Sequence, residues 1–205
     1  MSRAETTQRF DGHIAGFGTA EGTRLVVGVW RESPFGDFAD VMVERADGER
    51  MLLAPSDEVA EYVASTYSFD SVVVTPVRVR RRGSRVSVDA GPLRARFDVG
   101  AVSPLGMLLR LVPGFLATRP AWLRAIDPLA ALLVPGARTA GSAGGGRREY
   151  YGVTSARRIV AVEAHWNGSD LGELARLHPP VRFGFGSAPA DPHIVRVRTT
   201  IVAGR

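Results

Sequence analysis

The 205-residue chain contains no cysteine, which excludes disulfides, thiolate nucleophiles and Cys-ligated zinc or iron–sulfur sites. Lysine is absent as well, because all 26 basic residues are arginine. Schiff-base lysines, phosphate-loop lysines and lysine general bases are excluded with it. The longest stretch without a charged residue, Val99 to Leu109, has eleven residues, whereas a spanning helix needs about twenty. No transmembrane segment is therefore expected. Met1 to Arg9 is polar and charged, with no apolar stretch of signal-peptide length, so a cytoplasmic location is expected. The chain also lacks a Gly-x-Ser-x-Gly elbow, a Rossmann glycine pattern, a His-Glu-x-x-His pair and any internal repeat. His13, His165, His178 and His193 stand apart in sequence, and neither a metal nor a cofactor is expected.

What is present describes one folded unit. A hydrophobic share of 45% with 23% charged residues of both signs supports a full core in a single domain. The net charge of +5 hides an asymmetry, with 6 arginines against 13 acids up to residue 70 and 20 against 8 after it. Such a basic half suits a polyanionic partner. Arginines spread along a lysine-free chain are better explained as ordinary solvated cations.

Alternation of apolar and polar residues, broken by closely spaced turns, predicts antiparallel sheet. Strands are expected at Leu25 to Arg31, at Phe38 to Arg45 and Glu49 to Ala54 around the Asp47-Gly48 turn, and at Ser71 to Arg80, Arg85 to Asp89 and Leu93 to Val99. In the last of these, Leu93, Ala95, Phe97 and Val99 share a core face, and Arg94, Arg96 and Asp98 share a wet one. Ser56 caps a helix whose Val59, Tyr62, Val63 and Thr66 fall on one side. From Ser103 to Gly136 the period becomes helical, interrupted by Pro113, Pro120 and Pro128. Residues 137–146, nearly all Gly, Ala, Ser and Thr, predict a flexible loop. Strands resume at Glu149 to Val153 and Arg157 to Trp166, then a short helix through Leu171, Leu174 and Leu177, and last Val181 to Phe185 and Ile194 to Ile201. About ten short strands suggest a barrel or a sheet curled over a cavity, since closure removes unpaired edges.

Two constellations carry candidate chemistry. Asp40, Met42 and Glu44 alternate onto one strand face, with carboxylates roughly 13 Å apart, too far for a glycosidase pair. Arg147, Arg148, Glu149, Tyr150 and Tyr151 leave the Gly-rich loop onto a strand, while Glu163 and His165 share a face of the next. Their convergence at a barrel mouth would bind an anionic or carbonyl-bearing ligand and supply acid/base groups. A third feature, seven arginines from Arg78 to Arg96, lacks the interleaved aromatics of single-strand binders and reads better as a solvated sheet face. A nucleic-acid module would need that face exposed and unpaired with acids.

The segment Trp30 to Glu44, through Ser33, Pro34, Gly36, Phe38 and Asp40, resembles the Ser-Pro-x-Gly-x-aromatic-x-acid segment of acetoacetate-decarboxylase-like proteins. The resemblance implies a curled antiparallel sheet, a β-cone, enclosing a small-molecule pocket with Asp40 near it. Members of that family usually carry Glu at the acidic position. The decarboxylases among them act through a lysine Schiff base, which this chain cannot form. The whole chain also looks like an actinobacterial protein type, a similarity that implies no activity.

These readings converge on a mainly β (α+β) chain, an antiparallel β-barrel or β-cone of 1–205 with a short-helix insertion at 103–136. The expected function is binding of a small, partly apolar organic ligand in the barrel cavity. Asp40, Arg148, Glu149, Tyr150 and His165 are the expected ligand-binding residues. The alternatives are a lysine-independent acid/base enzyme acting on a small organic substrate and an arginine-rich nucleic-acid module. A second copy of the chain stays open as a partner, and nucleic acid is disfavoured.

Overall fold

The computed structural model describes residues 7–133, 138–143, 146–184 and 189–203. Its strands are β1 (Thr7–Thr19), β2 (Arg24–Glu32), β3 (Phe38–Glu44), β4 (Arg50–Ala54), β5 (Ser71–Val74), β6 (Val77–Arg82), β7 (Arg85–Ala90) and β8 (Leu93–Val102). After the helical insertion come β9 (Ala140–Ala143), β10 (Arg147–Trp166), β11 (Ser169–Asp170), β12 (Leu174–Ala175) and β13 (His193–Val202). The helices are α1 (Asp57–Thr66), α2 (Pro104–Leu109), α3 (Gly114–Ala117) and α4 (Pro120–Leu133).

The strands run in the order β5-β4-β3-β2-β1-β13-β10-β8-β7-β6, with β9 and β11 added to β10 and β12 to β1. The terminal strands of this order, β5 and β6, are consecutive in the chain and separated only by Thr75 and Pro76. So short a link brings the end of β5 beside the start of β6 and so curls the sheet, giving the predicted mainly β, cone-like architecture. Pairing is antiparallel except between β4 and β5, where α1 makes the crossover that a parallel pair requires. Ser56 caps α1 by accepting from the Val59 N–H at 3.4 Å.

Alternation divides the residues of β1 to β3 between two faces. Ala15, Phe17, Leu25, Val27, Val41 and Val43 turn toward β7 and β8 and pack with Val86, Val88, Leu93, Phe97 and Val99. The Phe17 and Phe97 rings meet at 5.4 Å. Side chains thus fill the inside of the curl, and open space is left on the opposite face.

Several local expectations change. Strand β1 was not anticipated, because Gly12, Gly16 and Gly18 dilute its alternation and glycine is depleted in strands. The fold nevertheless requires glycine at Gly12, where a Cβ would collide with the Val29 carbonyl and press on the Trp30 Cα. Helix α4 runs through Pro128 instead of stopping there. The Asp127 carboxylate accepts from the Thr139 and Ala140 N–H groups at 2.7 and 3.1 Å and ties β9 to α4. Within the expected flexible loop, 140–143 form β9 against β10, while 137, 144 and 145 lie outside the described residues. The expected helix through Leu171, Leu174 and Leu177 is replaced by β11 and β12, because Leu174 and Ala175 pair with Thr19 and Gly18. Residues 181–184 carry no strand, and Phe185 is not described. Among the described residues, no helix is long and apolar enough to cross a membrane.

Candidate functional site

On the outer face of β1, β2 and β3 the pairings Gly28↔Asp40, Trp30↔Phe38 and Ile14↔Gly28 bring side chains into rows. The rows continue across β13 and β10 through Phe10↔Thr199 and Tyr151↔Thr199. Helix α1, with Tyr62, Val63 and Thr66, covers this face together with Tyr67, Val181 and Phe183. Between them lies a cavity of about 80 Å³, walled chiefly by apolar and aromatic side chains. Gly28 forms part of its floor. A Cβ there would strike the Asp40 carboxylate and the Trp30 indole nitrogen, so only glycine leaves room for the bond between them.

Two carboxyl groups face this cavity. Asp40 is 2% exposed and its Oδ1 accepts from the Trp30 Nε1–H at 3.0 Å. Burial pushes its carboxyl up to about 6, against the opposing pull of the indole N–H. Glu149 is 1% exposed and its Oε1 accepts from the Tyr67 hydroxyl at 2.7 Å. The Tyr67 and Tyr151 hydroxyls are themselves 2.7 Å apart. Burial pushes Glu149 up to about 7, while the hydroxyls of Tyr67 and Tyr151 and the Arg147 cation pull it down. Both tyrosines are held well above their ordinary range, chiefly by burial, and therefore act as neutral donors. Two polar atoms of residues that line the cavity, Glu149 Oε2 and Thr199 Oγ1, are buried without a hydrogen-bond partner.

The sequence-predicted residues separate into three places. Asp40 and Glu149 meet in the cavity. Arg148 and Tyr150 point from the other face of β10 into a groove with Arg9, Arg119, Arg124 and Arg198, where the Arg124 guanidinium lies 6.0 Å from the Tyr150 ring. His165 lies near the far end of β10 in a third groove, beside Arg94 and Glu163. Strand alternation is the reason: neighbours 148 and 149 cannot share a face. Glu44, the other acid of the Asp40 row, is fully buried and pairs with Arg24 at 3.2 Å and Arg182 at 2.8 Å. Sequence reasoning missed Trp30, Tyr67 and Thr199 as site residues. Among the described residues, no group of three or more His, Asp or Glu side chains could hold a metal ion.

No protein-family model matches the chain, and no curated protein matches it. Among solved structures, the chain is similar to acetoacetate decarboxylase from Legionella pneumophila subsp. pneumophila, at 8% identity over 99% of this chain and 88% of that one, with a TM-score of 0.45. The segment Trp30 to Glu44 resembles the same group of proteins.

Proposed function

We propose that the protein binds a small, neutral, partly apolar organic molecule carrying a carbonyl group, in the cavity beneath α1, with Asp40 and Glu149 as its polar contacts. The observation that carries this reading is the placement of unsatisfied groups. Of three buried side-chain polar atoms without a partner among the described residues, two belong to residues that line this one cavity, Glu149 and Thr199. Each such atom costs about 1 to 3 kcal/mol, a cost that a ligand's polar group would relieve. The volume of about 80 Å³ holds a molecule much smaller than the drug-sized ligands of pockets of roughly 300 to 1,000 Å³. Two acids and no arginine line the cavity, which disfavours an anion there. Arg148, Tyr150 and His165 stand outside its wall.

The test is a titration followed by NMR at the Trp30 indole and the Gly28 amide. Butanone and cyclopentanone should bind with dissociation constants of about millimolar order, as a handful of heavy atoms permits. Thr199→Val, which replaces the hydroxyl by a methyl group of similar size, should weaken binding by about 2- to 12-fold, one hydrogen bond's worth, without lowering the melting temperature. Acetate binding more tightly than the ketones, or no shift at either probe, would remove this reading.

A second reading, an acid/base enzyme on the same class of molecule, is favoured by two carboxyls in one cavity lifted to about 6 and about 7, where groups both give and take protons at neutral pH. Its mark is exchange of the α-protons of a bound ketone with deuterated water. Asp40→Asn should abolish that exchange while ketone binding persists.

A further inference from the structure

We propose that the outer face of β6, β7, β8 and the end of β10 is a docking surface for the phosphodiester backbone of double-stranded nucleic acid. Cross-strand register sets its residues in ladders. Arg78 lies opposite Asp89, Asp89 opposite Arg94 and Arg94 opposite His165; Arg80 lies opposite Ser87, Ser87 opposite Arg96 and Arg96 opposite Glu163. A third ladder places Arg82 opposite Arg85 and Arg85 opposite Asp98. The face is concave, enclosing a groove of about 1,120 Å³ whose lining includes six arginines but only Asp89 and Glu163 as acids.

Pairing distinguishes this face from an ordinary solvated one. Arg85 is bound to Asp98 at 3.0 Å, and Arg96 reaches Glu163 at 3.8 Å. Arg78, Arg80, Arg82 and Arg94 have no acid within ion-pair distance among the described residues, and all four are exposed. Both conditions that the sequence left open, exposure and the absence of an ion pair, are therefore met for four guanidinium groups, although Asp89 sits between Arg78 and Arg94 in its ladder. Along β6 three of them recur at about 6.7 Å, two residues of extended chain, and Arg94 on β8 lies two strands away, roughly 9.6 Å across the sheet. A row of planar, permanently charged groups at such spacing matches a periodic array of phosphates, which arginine contacts through paired N–H groups.

Duplex is favoured over single strand because no Phe, Tyr or Trp lines the groove, and the lone His165 ring cannot supply the row of stacking platforms that successive unpaired bases need. No base-reading element projects from the face, so contact is to the backbone and independent of sequence. The surface shares no strand with the ligand cavity except β10, whose Glu149 and His165 lie near opposite ends. It stands independently of the cavity's function.

The experiment is fluorescence anisotropy of a labelled mixed-sequence 20-base-pair DNA duplex with the full chain from 50 to 200 mM NaCl. Four phosphate contacts predict a slope of log K on log salt near −3.6, an affinity loss of about 150-fold across that range. Arg80→Ala with Arg94→Ala should bring the slope to about −1.8 and the loss to about 12-fold. Both side chains are exposed, and an unchanged melting temperature verifies the fold. Arg110→Ala, outside the groove, should leave the slope unchanged. No binding at 50 mM salt, an unaltered slope in the double variant, or tighter binding of polyglutamate or single-stranded DNA than of duplex would each overturn the proposal.

Discussion

Glu44→Ala is expected to destabilise the folded chain by about 3 to 5 kcal/mol, the range for removing one partner of a buried ion pair. Glu44 is 0% exposed on β3, and its Oε1 lies 3.2 Å from the guanidinium of Arg24 on β2, whose side chain is 5% exposed. Arg182 donates to the same carboxylate from its backbone N–H at 2.7 Å and its Nε at 2.8 Å. The Arg182 side chain is largely exposed and recovers hydration when Glu44 is removed. Arg24 cannot. It remains between the Pro179 and Arg45 carbonyls, to which it donates at 3.0 and 3.3 Å, with its charge uncompensated. Replacing both members, Arg24→Leu with Glu44→Leu, should cost much less than Glu44→Ala alone, since it removes both buried charges. Urea midpoints at constant slope measure the difference. A loss below about 1 kcal/mol for Glu44→Ala would mean that water reaches Arg24, and the pair would then have to be treated as a surface one.

The ion pair also illustrates what the sequence makes legible. Asp40, Met42 and Glu44 share a strand face in both the sequence pattern and the structure, yet the two acids have different fates. Asp40 meets an indole across Gly28, and Glu44 meets two arginines, one of them 138 residues away. Periodicity fixes a face but cannot name what covers it. The core of β8 was legible because Leu93, Ala95, Phe97 and Val99 alternate cleanly with charged residues, whereas β1 was hidden by glycines that matter for close backbone approach. At β10 the information was present: a period of two already separates Glu149 and Tyr151 from Arg148 and Tyr150. Tyr67 and Thr199 carried no such signal. They reach Glu149 and Tyr151 only because the chain returns past α1 and because β13 sits between β1 and β10.

Raising the pH from 4 to 8 is expected to destabilise the wild type relative to Asp40→Asn and Glu149→Gln, by roughly 3 kcal/mol for each carboxyl. In the folded chain Asp40 is raised from 3.8 to about 6 and Glu149 from 4.5 to about 7. A carboxyl raised by folding holds its proton more tightly in the native state than in the unfolded one. The unfolded chain therefore releases the proton first as pH rises, and stability is lost from the unfolded value up to the folded one. At about 1.4 kcal/mol per unit, each group opposes folding by roughly 3 kcal/mol above pH 7 and by almost nothing below pH 4. Asp70 and Asp98, lowered by Arg50 and Arg85, act in the opposite sense, losing stability as pH falls, and are common to all three proteins. Differences between wild type and variant cancel them. Asn at position 40 can still accept from Trp30, and Gln at 149 can still accept from Tyr67, so each variant loses the buried charge while keeping its hydrogen bond. Both should match the wild type near pH 4 and exceed it at pH 8, in urea unfolding at each pH. A molecule whose carbonyl accepts from protonated Glu149 stabilises the acid form, so butanone should move the Glu149-dependent loss to higher pH and have no such effect on Glu149→Gln. Variants that track the wild type at every pH would mean that water already solvates both carboxylates. The cavity would then hold no acid able to donate to a ligand at neutral pH.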